Sequence, residues 1–325
     1  MARLSERQLR KMPFIFQQCM LEYPRVQPAE LGRRAGVSRT TARKHLERLI
    51  EEGVLFPPQM RLKNCNQIKE YIYLLRVDNP HSFVPYIEDE QWIFYYCILV
   101  GHFNLIFMSY KPVDLSHLKG YEETVISGVR SDYFTPPISE KSYKTAYKNI
   151  FDKCEGKIEP SFFDIRLYDI EWTEELWTLF LDLKYNLRVN FTPLVKKYGF
   201  KYTTFYERVK QLLANTYVYV PLYPLGESNY SLFYFLFKTK YQKLIFESFG
   251  ELPIFSTHLR IKDSLLCRVP IPYGLENDHF RNIISLWERK GIIDSYRLSM
   301  PYTSETIHPG MPCPAPSPPP SGTTP

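Results

Sequence analysis

The hydrophobic positions of one early stretch follow a helical period that a glycine interrupts. Leu31 and Ala35 lie four residues apart, as on one face of a helix. Gly36 then supplies the backbone freedom that a tight turn needs. A second apolar stripe at helical spacing follows the turn and consists of Ala42, Leu46 and Leu49. The pattern predicts two helices joined by a short turn.

The ends of the second helix carry their own signals. Ser38 stands at the N-cap position, where its hydroxyl can accept a bond from a free amide of the next turn. The helix is expected from Arg39 to Glu52, and Gly53 closes it at the C′ position. This arrangement is typical of a helix-turn-helix, whose second helix lies in the major groove of DNA.

The polar face of this predicted unit carries cations and hydroxyls. We expect DNA contacts from two groups of side chains, the first on the second helix and the second on the preceding one: Ser38, Arg39, Thr40, Thr41, Arg43 and Lys44, then Arg33 and Arg34. Such groups bond phosphates or base edges. The alternative is a solvated helix that only packs on its neighbour.

Two segments flank this unit. Residues 5–23 show a helical apolar period and predict a first helix. After residue 53, we expect a β-ribbon that turns near Pro57 and Pro58, in the position of a wing. Arg61 and Lys63 would touch the phosphate backbone from it. A plain hairpin with solvated charges fits the same residues.

The stretch resembles the helix-turn-helix of the Lrp/AsnC (leucine-responsive regulator) family of winged-helix transcription factors. The similar pattern is L-x-x-x-x-G-V-S-x-x-T, followed by a basic helix and L-x-x-E-G-V-L. Members of this family carry a ferredoxin-like domain after the winged helix, which binds effectors and forms oligomers. The resemblance therefore implies a DNA-binding regulator.

The residues that follow fit this layout. Residues 71–78 predict a strand, 82–87 a helical turn, and 92–113 two strands around a turn. Residues 114–129 predict a brief helix, a glycine turn and a last strand. The order is βαββαβ, that of a ferredoxin-like unit.

The turn between the two middle strands is similar to the family's G-x-x-D or G-x-x-N turn. The resemblance places a small effector, such as an amino acid, against Gly101, His102 and Asn104. The alternative is a plain tight turn at Gly101 with His102 facing solvent. The segment from Leu118 to Val125 is similar to the family's approach to the last strand.

The second half of the chain repeats the first at an offset of 163 residues. The offset needs no gap and pairs Leu31 with Leu194, Gly36 with Gly199, Thr40 with Thr203, Thr41 with Thr204, Leu49 with Leu212, and Arg25 with Arg188. A second series of strands and helices follows, with the same βαββαβ order. We therefore expect a tandem duplication.

The predicted fold class is α+β, with two winged helix-turn-helix domains that are each followed by a ferredoxin-like domain. The expected boundaries are 1–65 and 66–137 for the first copy, 138–168 for a helix and linker, 169–226 and 227–303 for the second copy, and 304–325 for a disordered Pro-rich tail. An intramolecular pseudo-dimer or a homo-oligomer follows from the way in which family members pair.

The second helix-turn-helix is less basic. Tyr202 and Tyr206 replace Arg39 and Arg43, and Glu207 replaces Lys44. Lys201 and Arg208 still favour phosphate contacts. We expect the first copy to recognise DNA sequence, while the second positions the protein weakly or serves as an interface.

Charge agrees with a nucleic-acid partner. The chain has a net charge of +6, and residues 1–63 carry thirteen Lys and Arg against six Glu, which makes +7. The rest sums to about −1, so the positive charge lies on the first module. Double-stranded DNA is the expected partner.

Composition excludes several other classes. Six scattered cysteines fit buried thiols better than zinc sites or disulfides, so no metal and no cofactor are expected. No apolar run suits a transmembrane helix, and the N-terminus lacks a signal-peptide core. We expect a cytoplasmic protein with no membrane partner, and the tandem layout suggests an archaeal source.

Two further functions compete with a non-enzymatic regulator. Siroheme decarboxylases, which are similar to the family, would use His102, His117 and Arg130, with His258 and Arg260 in the second copy. No histidine or carboxylate pair with catalytic spacing supports this alternative. The third possibility is an architectural or adaptor protein that binds DNA or proteins without a ligand.

Overall fold

A computed structural model describes residues 5–274 and 279–307. The helices in chain order are α1 (Glu6–Glu22), α2 (Pro28–Ala35), α3 (Arg39–Glu51), α4 (Val84–Asp89), α5 (Tyr143–Lys153), α6 (Glu174–Leu183), α7 (Phe191–Tyr198), α8 (Tyr202–Asn215), α9 (Gln242–Phe249) and α10 (His279–Arg289). The strands are β1 (Gln59–Leu62), β2 (Tyr71–Val77), β3 (Ile93–Gly101), β4 (Leu105–Ser109), β5 (Tyr121–Val129), β6 (Thr216–Tyr219), β7 (Tyr230–Lys238), β8 (Thr257–Ile261), β9 (Ser264–Pro272) and β10 (Ser295–Thr306).

The first helix-turn-helix forms as its sequence predicts. The Ser38 hydroxyl accepts a bond from the Thr41 amide at 3.1 Å and so caps α3. Gly36 ends α2 in the left-handed region at φ 67°, and Gly53 follows α3 at φ 64°. Gly199 ends α7 in the same way, at φ 65°. The same local signals therefore shape the turn in both halves.

The predicted wing hairpin is wrong. β1 pairs antiparallel with β6, from Gln59 opposite Tyr219 to Leu62 opposite Thr216. Each half therefore contributes one strand to a two-stranded sheet that neither half forms alone. We call this sheet the wing pair.

The chain segments around the wing pair are exchanged between the two halves, so each is buried in the three-helix core of the other half. Val220 and Leu222, from the second half, are fully buried among the residues of α1, α2 and α3. Met60 and Leu62, from the first half, are buried among the residues of α6, α7 and α8. Each three-helix unit is therefore completed by the segment that follows the other one.

Two arginines join the helical units in a reciprocal manner. The Arg25 guanidinium donates to the carbonyl groups of Leu187 and Val189, at 2.6 and 2.8 Å. Arg188 donates to the carbonyl groups of Pro24 and Val26, at 3.1 and 2.9 Å. Because Arg25 and Arg188 are 163 residues apart, as are their acceptors, each unit makes on the other the contact that it receives.

The remaining strands form one eight-stranded sheet in the order β5-β2-β4-β3-β10-β7-β9-β8. Within each half, the strands lie in the order fourth, first, third, second. The halves join where β10 pairs antiparallel with β3, from Ser299 opposite Gly101 to Thr306 opposite Tyr95.

The two ends of this sheet meet. Arg130 bridges Ile261, and Phe134 bridges His258, so the chain after β5 continues along the outer edge of β8. The inner face encloses one apolar cluster with residues from both halves, among them Ile72, Leu99 and Leu266. The sheet thus curls around a shared interior.

Two further expectations are wrong in the described residues, and the segment expected to be a linker is ordered. The segment 114–120 between β4 and β5 forms turns instead of a helix. The expected helix and linker at 138–168 contains α5, and its later part is held in place, since Phe163 is buried and Ser161 bridges Tyr241. The expected tail begins inside β10, which extends to Thr306, and its residues 308–325 lie outside the described part of the chain.

Candidate DNA-binding surface and central cavity

The outward face of α3 presents the cations that the sequence singled out. Arg39, Thr40, Arg43 and Lys44 are exposed, and their helix buries Ala42, Leu46 and Leu49 on the opposite side. Arg43 lies 3.8 Å from Glu47, one turn further along the helix. Such an exposed pair is weak and leaves the guanidinium available to a phosphate.

Two of the expected contacts have a structural role at the start of α3. The hydroxyl groups of Ser38 and Thr41 lie 2.8 Å apart, and the Ser38 oxygen also caps the helix. Both residues therefore fix the position at which α3 begins. Arg39 and Thr40 extend from that first turn into solvent.

Arg33 and Arg34 share one acidic partner. Arg33 donates two bonds to Glu30, at 2.7 and 2.6 Å, and Arg34 donates one at 3.0 Å. These hydrogen bonds hold the pKa of the Glu30 carboxyl at about 2. Arg34 also pairs with Glu22 at 2.7 Å, which ties α2 to α1. Arg33 is the more exposed of the two cations.

The corresponding face of α8 is different. Tyr202 and Tyr206 are about half exposed, and Lys201 stands at the N-cap without a side-chain cap bond. Arg208 pairs with Glu175 of α6, so this cation supports the packing of the helices and does not extend from the exposed face.

Arg61 and Lys63 do not lie on an exposed wing. The Lys63 ammonium donates to the Ala214 carbonyl at 2.7 Å and lies over the rings of Tyr168 and Tyr217. Arg61 is half-buried and lies within 5.9 Å of three tyrosine rings. Both placements follow from the pairing of β1 with β6 instead of a local hairpin.

Arg61 lines a cavity of about 590 Å³ between the wing pair and the inner face of the curled sheet. We call it the central cavity. The wing pair contributes Gln59, Arg61 and Tyr219, and the sheet contributes Met108 and Arg268, among others. Of its 32 lining residues, 14 are Phe or Tyr, so aromatic residues form the largest group in its walls. Volume and lining are typical of a small-molecule site.

The central cavity also holds cations. Arg61, Lys184 and Arg268 line it, and none of them pairs with a carboxylate among the residues of the described ranges. Burial lowers the pKa of the Lys184 ammonium, and the nearby charge of Arg61 lowers it further. Glu70 also lines the cavity, but it forms a buried ion pair with Arg130.

The turn expected to hold an effector is occupied by the chain itself. The Asn104 side chain exchanges two bonds with the Val77 backbone, at 2.9 and 2.6 Å. The His102 ring bonds the Leu298 backbone at 2.9 Å. A Cβ atom on Gly101 would lie 2.4 Å from the Leu298 carbonyl oxygen. This glycine therefore permits the contact with β10, and none of the three residues lines the central cavity.

The residues of the enzymatic alternative are scattered. His102 and His117 are exposed, and Arg130 is fully buried in its pair with Glu70. Arg260 donates to two backbone carbonyl groups. His258 is fully buried, and this burial lowers the pKa of its imidazole to about 3. None of these five side chains lines the central cavity.

The cysteines agree with the interpretation as buried thiols. Cys19, Cys65, Cys97, Cys154 and Cys267 are all buried and free, while Cys313 lies outside the described residues. No cluster of His, Cys, Asp or Glu suited to a metal occurs in the ranges 5–274 and 279–307. Within the same ranges, no helix has the length and apolar character needed to cross a bilayer.

Sequence comparison bears on the first helical unit. Residues 18–55 match a family of winged helix-turn-helix DNA-binding domains. The chain therefore contains such a domain. The match spans the last five residues of α1 together with α2 and α3, and so includes the exposed face of α3. A search among curated proteins finds no match.

Comparison of structures finds the siroheme decarboxylase NirDL. Its crystal structure is 11% identical in sequence and has a TM-score of 0.49, with 93% of this chain and 94% of that chain covered. Its complex with an iron-uroporphyrin III analogue is also 11% identical, with a TM-score of 0.44 and coverage of 92% and 93%. Both scores lie below 0.5, so neither likeness bears on the function or ligand of this chain.

Proposed function

We propose that the protein is a transcriptional regulator of the Lrp/AsnC type that binds duplex DNA through α3. The observation that carries the proposal is an exposed basic helix face within residues 18–55, which match a winged helix-turn-helix DNA-binding domain. Arg39, Arg43 and Lys44 are the principal contacts. Such cations neutralise phosphates and bond base edges in the major groove.

The second helix-turn-helix has a supporting role in this proposal. The first turns of α8 carry Tyr202, Tyr206 and Glu207 instead of cations. Arg208 forms an ion pair with Glu175. Lys201 remains exposed at the start of α8 and suits a phosphate contact. The two units would therefore address unequal half-sites.

A tandem duplication accounts for the rest of the architecture. The reciprocal contacts of Arg25 and Arg188, and the strand order that both halves share, support two ferredoxin-like copies arranged as an intramolecular pseudo-dimer. In such an arrangement, one chain supplies the two-fold symmetry that a homodimer obtains from two chains.

Fluorescence anisotropy with a mixed-sequence duplex tests DNA binding. We expect binding at low salt that weakens steeply as salt is raised, because each neutralised phosphate releases a counterion. An absence of binding at low salt would contradict the proposal. A DNA affinity that responds to no small molecule would favour the architectural alternative.

The enzymatic alternative has its own test. A siroheme-decarboxylase-type protein would show a tetrapyrrole absorption band after mixing with a porphyrin. Its five candidate residues are scattered in the structure, so this alternative has no assembled site in its favour.

A further inference from the structure

The central cavity combines features that a structural core does not need. Aromatic residues form the largest group in its walls, but three cations without a carboxylate partner among the described residues also line the cavity: Arg61, Lys184 and Arg268. Removing a cation from water without a counter-charge costs free energy. A compensating anion would remove that cost.

The acidic side chains of the cavity supply only part of this compensation, through the attraction of Glu70 for Arg61 and Lys184. Glu70 is buried and held by the guanidinium of Arg130. Glu227 also lines the cavity, but its side chain is exposed to solvent. One carboxylate is therefore paired and the other solvated, so the cavity retains an excess of positive charge.

The neighbours of the two guanidinium groups are phenol rings. Arg61 lies 5.2 Å from the ring centre of Tyr219 and 5.9 Å from that of Tyr133. Arg268 faces the hydroxyl groups of Tyr223 and Tyr234. A phenol with its proton carries no charge, so these rings orient the cations without neutralising them.

The aromatic walls favour a flat ligand. Phe94 stacks on Tyr110 with ring centres 4.2 Å apart, and Tyr219 stacks on Phe255 at 5.7 Å. Rings arranged in this way offer faces to another planar ring. The cavity volume of about 590 Å³ accommodates a small organic molecule.

We propose that the central cavity binds a small aromatic anion, with its carboxylate or phosphate group on Arg61 and Arg268 and its ring system between the tyrosine and phenylalanine walls. Guanidinium groups form paired, charge-assisted hydrogen bonds with both kinds of oxyanion. This site replaces the turn at Gly101, His102 and Asn104 as the place for a ligand.

The location of the site gives it a connection to the helical units. Its roof is the wing pair, whose residues Met60 and Leu62 are buried in one three-helix core, while Val220 and Leu222, which follow it, are buried in the other. A ligand beneath the wing pair therefore contacts the element that joins the two helix-turn-helix units. An effect of the ligand on DNA binding rests on the proposed function, whereas binding of the anion itself does not.

Isothermal titration calorimetry on the full chain tests the site with matched probes: naphthoate, naphthyl phosphate and the neutral naphthamide. We expect at least one anion to bind about tenfold or more tightly than the amide, as charge-assisted bonds imply. The comparison of naphthoate with naphthyl phosphate identifies the preferred oxyanion. Equal affinity for all three probes, or no binding of either anion, would overturn the proposal.

Variants locate the binding. Arg61→Gln and Arg268→Gln should each remove the preference for the anion, and Arg268→Lys should restore part of it. Arg289→Gln, on the exposed side of α10, is the matched control and should leave the preference unchanged. An unchanged preference in both glutamine variants would contradict the assignment.

A thermal melt without ligand excludes trivial unfolding. Because Arg268 lacks a carboxylate partner among the described residues, Arg268→Gln should melt no earlier than the wild type. Earlier melting would show that the guanidinium serves the fold and would overturn the proposed role. DNA binding is also measured without any probe. Its absence would contradict the proposed function alone and would leave the anion site untouched.

Discussion

Arg39 and Lys44 differ from most cations of the first helix-turn-helix because no acidic side chain among the described residues pairs with them. Arg33 and Arg34 share Glu30, Arg43 lies near Glu47, and Arg48 lies near Glu52. A cation that already has an intramolecular partner gains less from a phosphate. Arg34, which has two acidic partners, should therefore contribute least, whereas the weak 3.8 Å pair with Glu47 leaves Arg43 available to DNA.

The first prediction concerns α3 and α8. Arg39→Ala and Arg43→Ala should each weaken DNA binding about tenfold, since a good base or phosphate contact is worth roughly 1–3 kcal/mol. Lys201→Ala and Tyr206→Ala should have much smaller effects. Fluorescence anisotropy at fixed salt measures all four, with Arg289→Ala as the control. Equal losses in α3 and α8 would mean that both helices recognise DNA.

The second prediction concerns acid stability. His258 is fully buried with its ring 2.8 Å from the Ser256 hydroxyl, and burial lowers the pKa of its imidazole from 6.5 to about 3. The unfolded chain takes up a proton near pH 6.5, but the folded chain does so only near pH 3. Stability from this group is therefore present above pH 6.5 and lost as the pH falls towards 3.

Denaturant titrations across this pH range measure the effect. The wild type should lose about 1.4 kcal/mol of unfolding free energy per pH unit through this one group. His258→Gln should have a shallower dependence, whereas the exposed His117→Gln should retain the wild-type slope. Parallel slopes for all three proteins would show that His258 is not the group responsible.

At the scale of elements, local signals determined what the sequence could predict. The cap at Ser38 and the glycines at positions 36, 53 and 199 act within one turn, so the helices on either side form as expected. The repeat at an offset of 163 residues was visible for the same reason. These features depend only on neighbouring residues, so they can be recognised without knowing which distant segments pair.

The pairing partner of a strand is not a local property. The alternation that buries Met60 and Leu62 is the same in a hairpin and in the wing pair, so the position of Arg61 could not be derived from it. The missing helix at 114–120 has a local cause. The Asp114 carboxylate accepts a bond from the Ser116 amide at 2.9 Å, a turn contact that competes with a helix.

The third prediction follows from the exchanged wing segments. Leu222 is fully buried in the core of the first three-helix unit, although it lies in the second half of the sequence. Leu222→Ala should cost about 2–5 kcal/mol, as is usual for such a truncation. Hydrogen exchange should then rise in α1 and α3 more than in α6 and α8.

Leu225→Ala, three residues further along and about half exposed, is the control for that experiment. It should leave exchange in α1 and α3 unchanged. Faster exchange confined to the second unit in Leu222→Ala would show that the wing segments are not exchanged.

At the scale of the whole molecule, reciprocal contacts join the two helical units. Arg25 and Arg188 each donate to two backbone carbonyl groups of the other unit, and the Arg25 guanidinium also lies 3.6 Å from the Phe191 ring centre. The spacing between α3 and α8 therefore depends on this interface.

The fourth prediction tests that dependence. Arg25→Ala and Arg188→Ala should each destabilise the protein by about 1–3 kcal/mol, because each removes the donor from two carbonyl groups. Each should also reduce the advantage of duplexes with two half-sites at a fixed spacing over duplexes with one. Arg166→Ala, which removes an exposed ion pair with Asp164, is the control. An unchanged spacing preference in both variants would show that this interface does not affect DNA recognition.

The most direct test of the central claim is selection from a random duplex library at moderate salt, followed by sequencing of the retained DNA. For the wild type, we expect enrichment of one motif with two unequal half-sites. For the double variant Arg39→Ala and Arg43→Ala, the stronger half-site should be lost from the retained DNA. Retained DNA without any enriched motif, or the same motif for both proteins, would contradict the claim that α3 recognises DNA sequence.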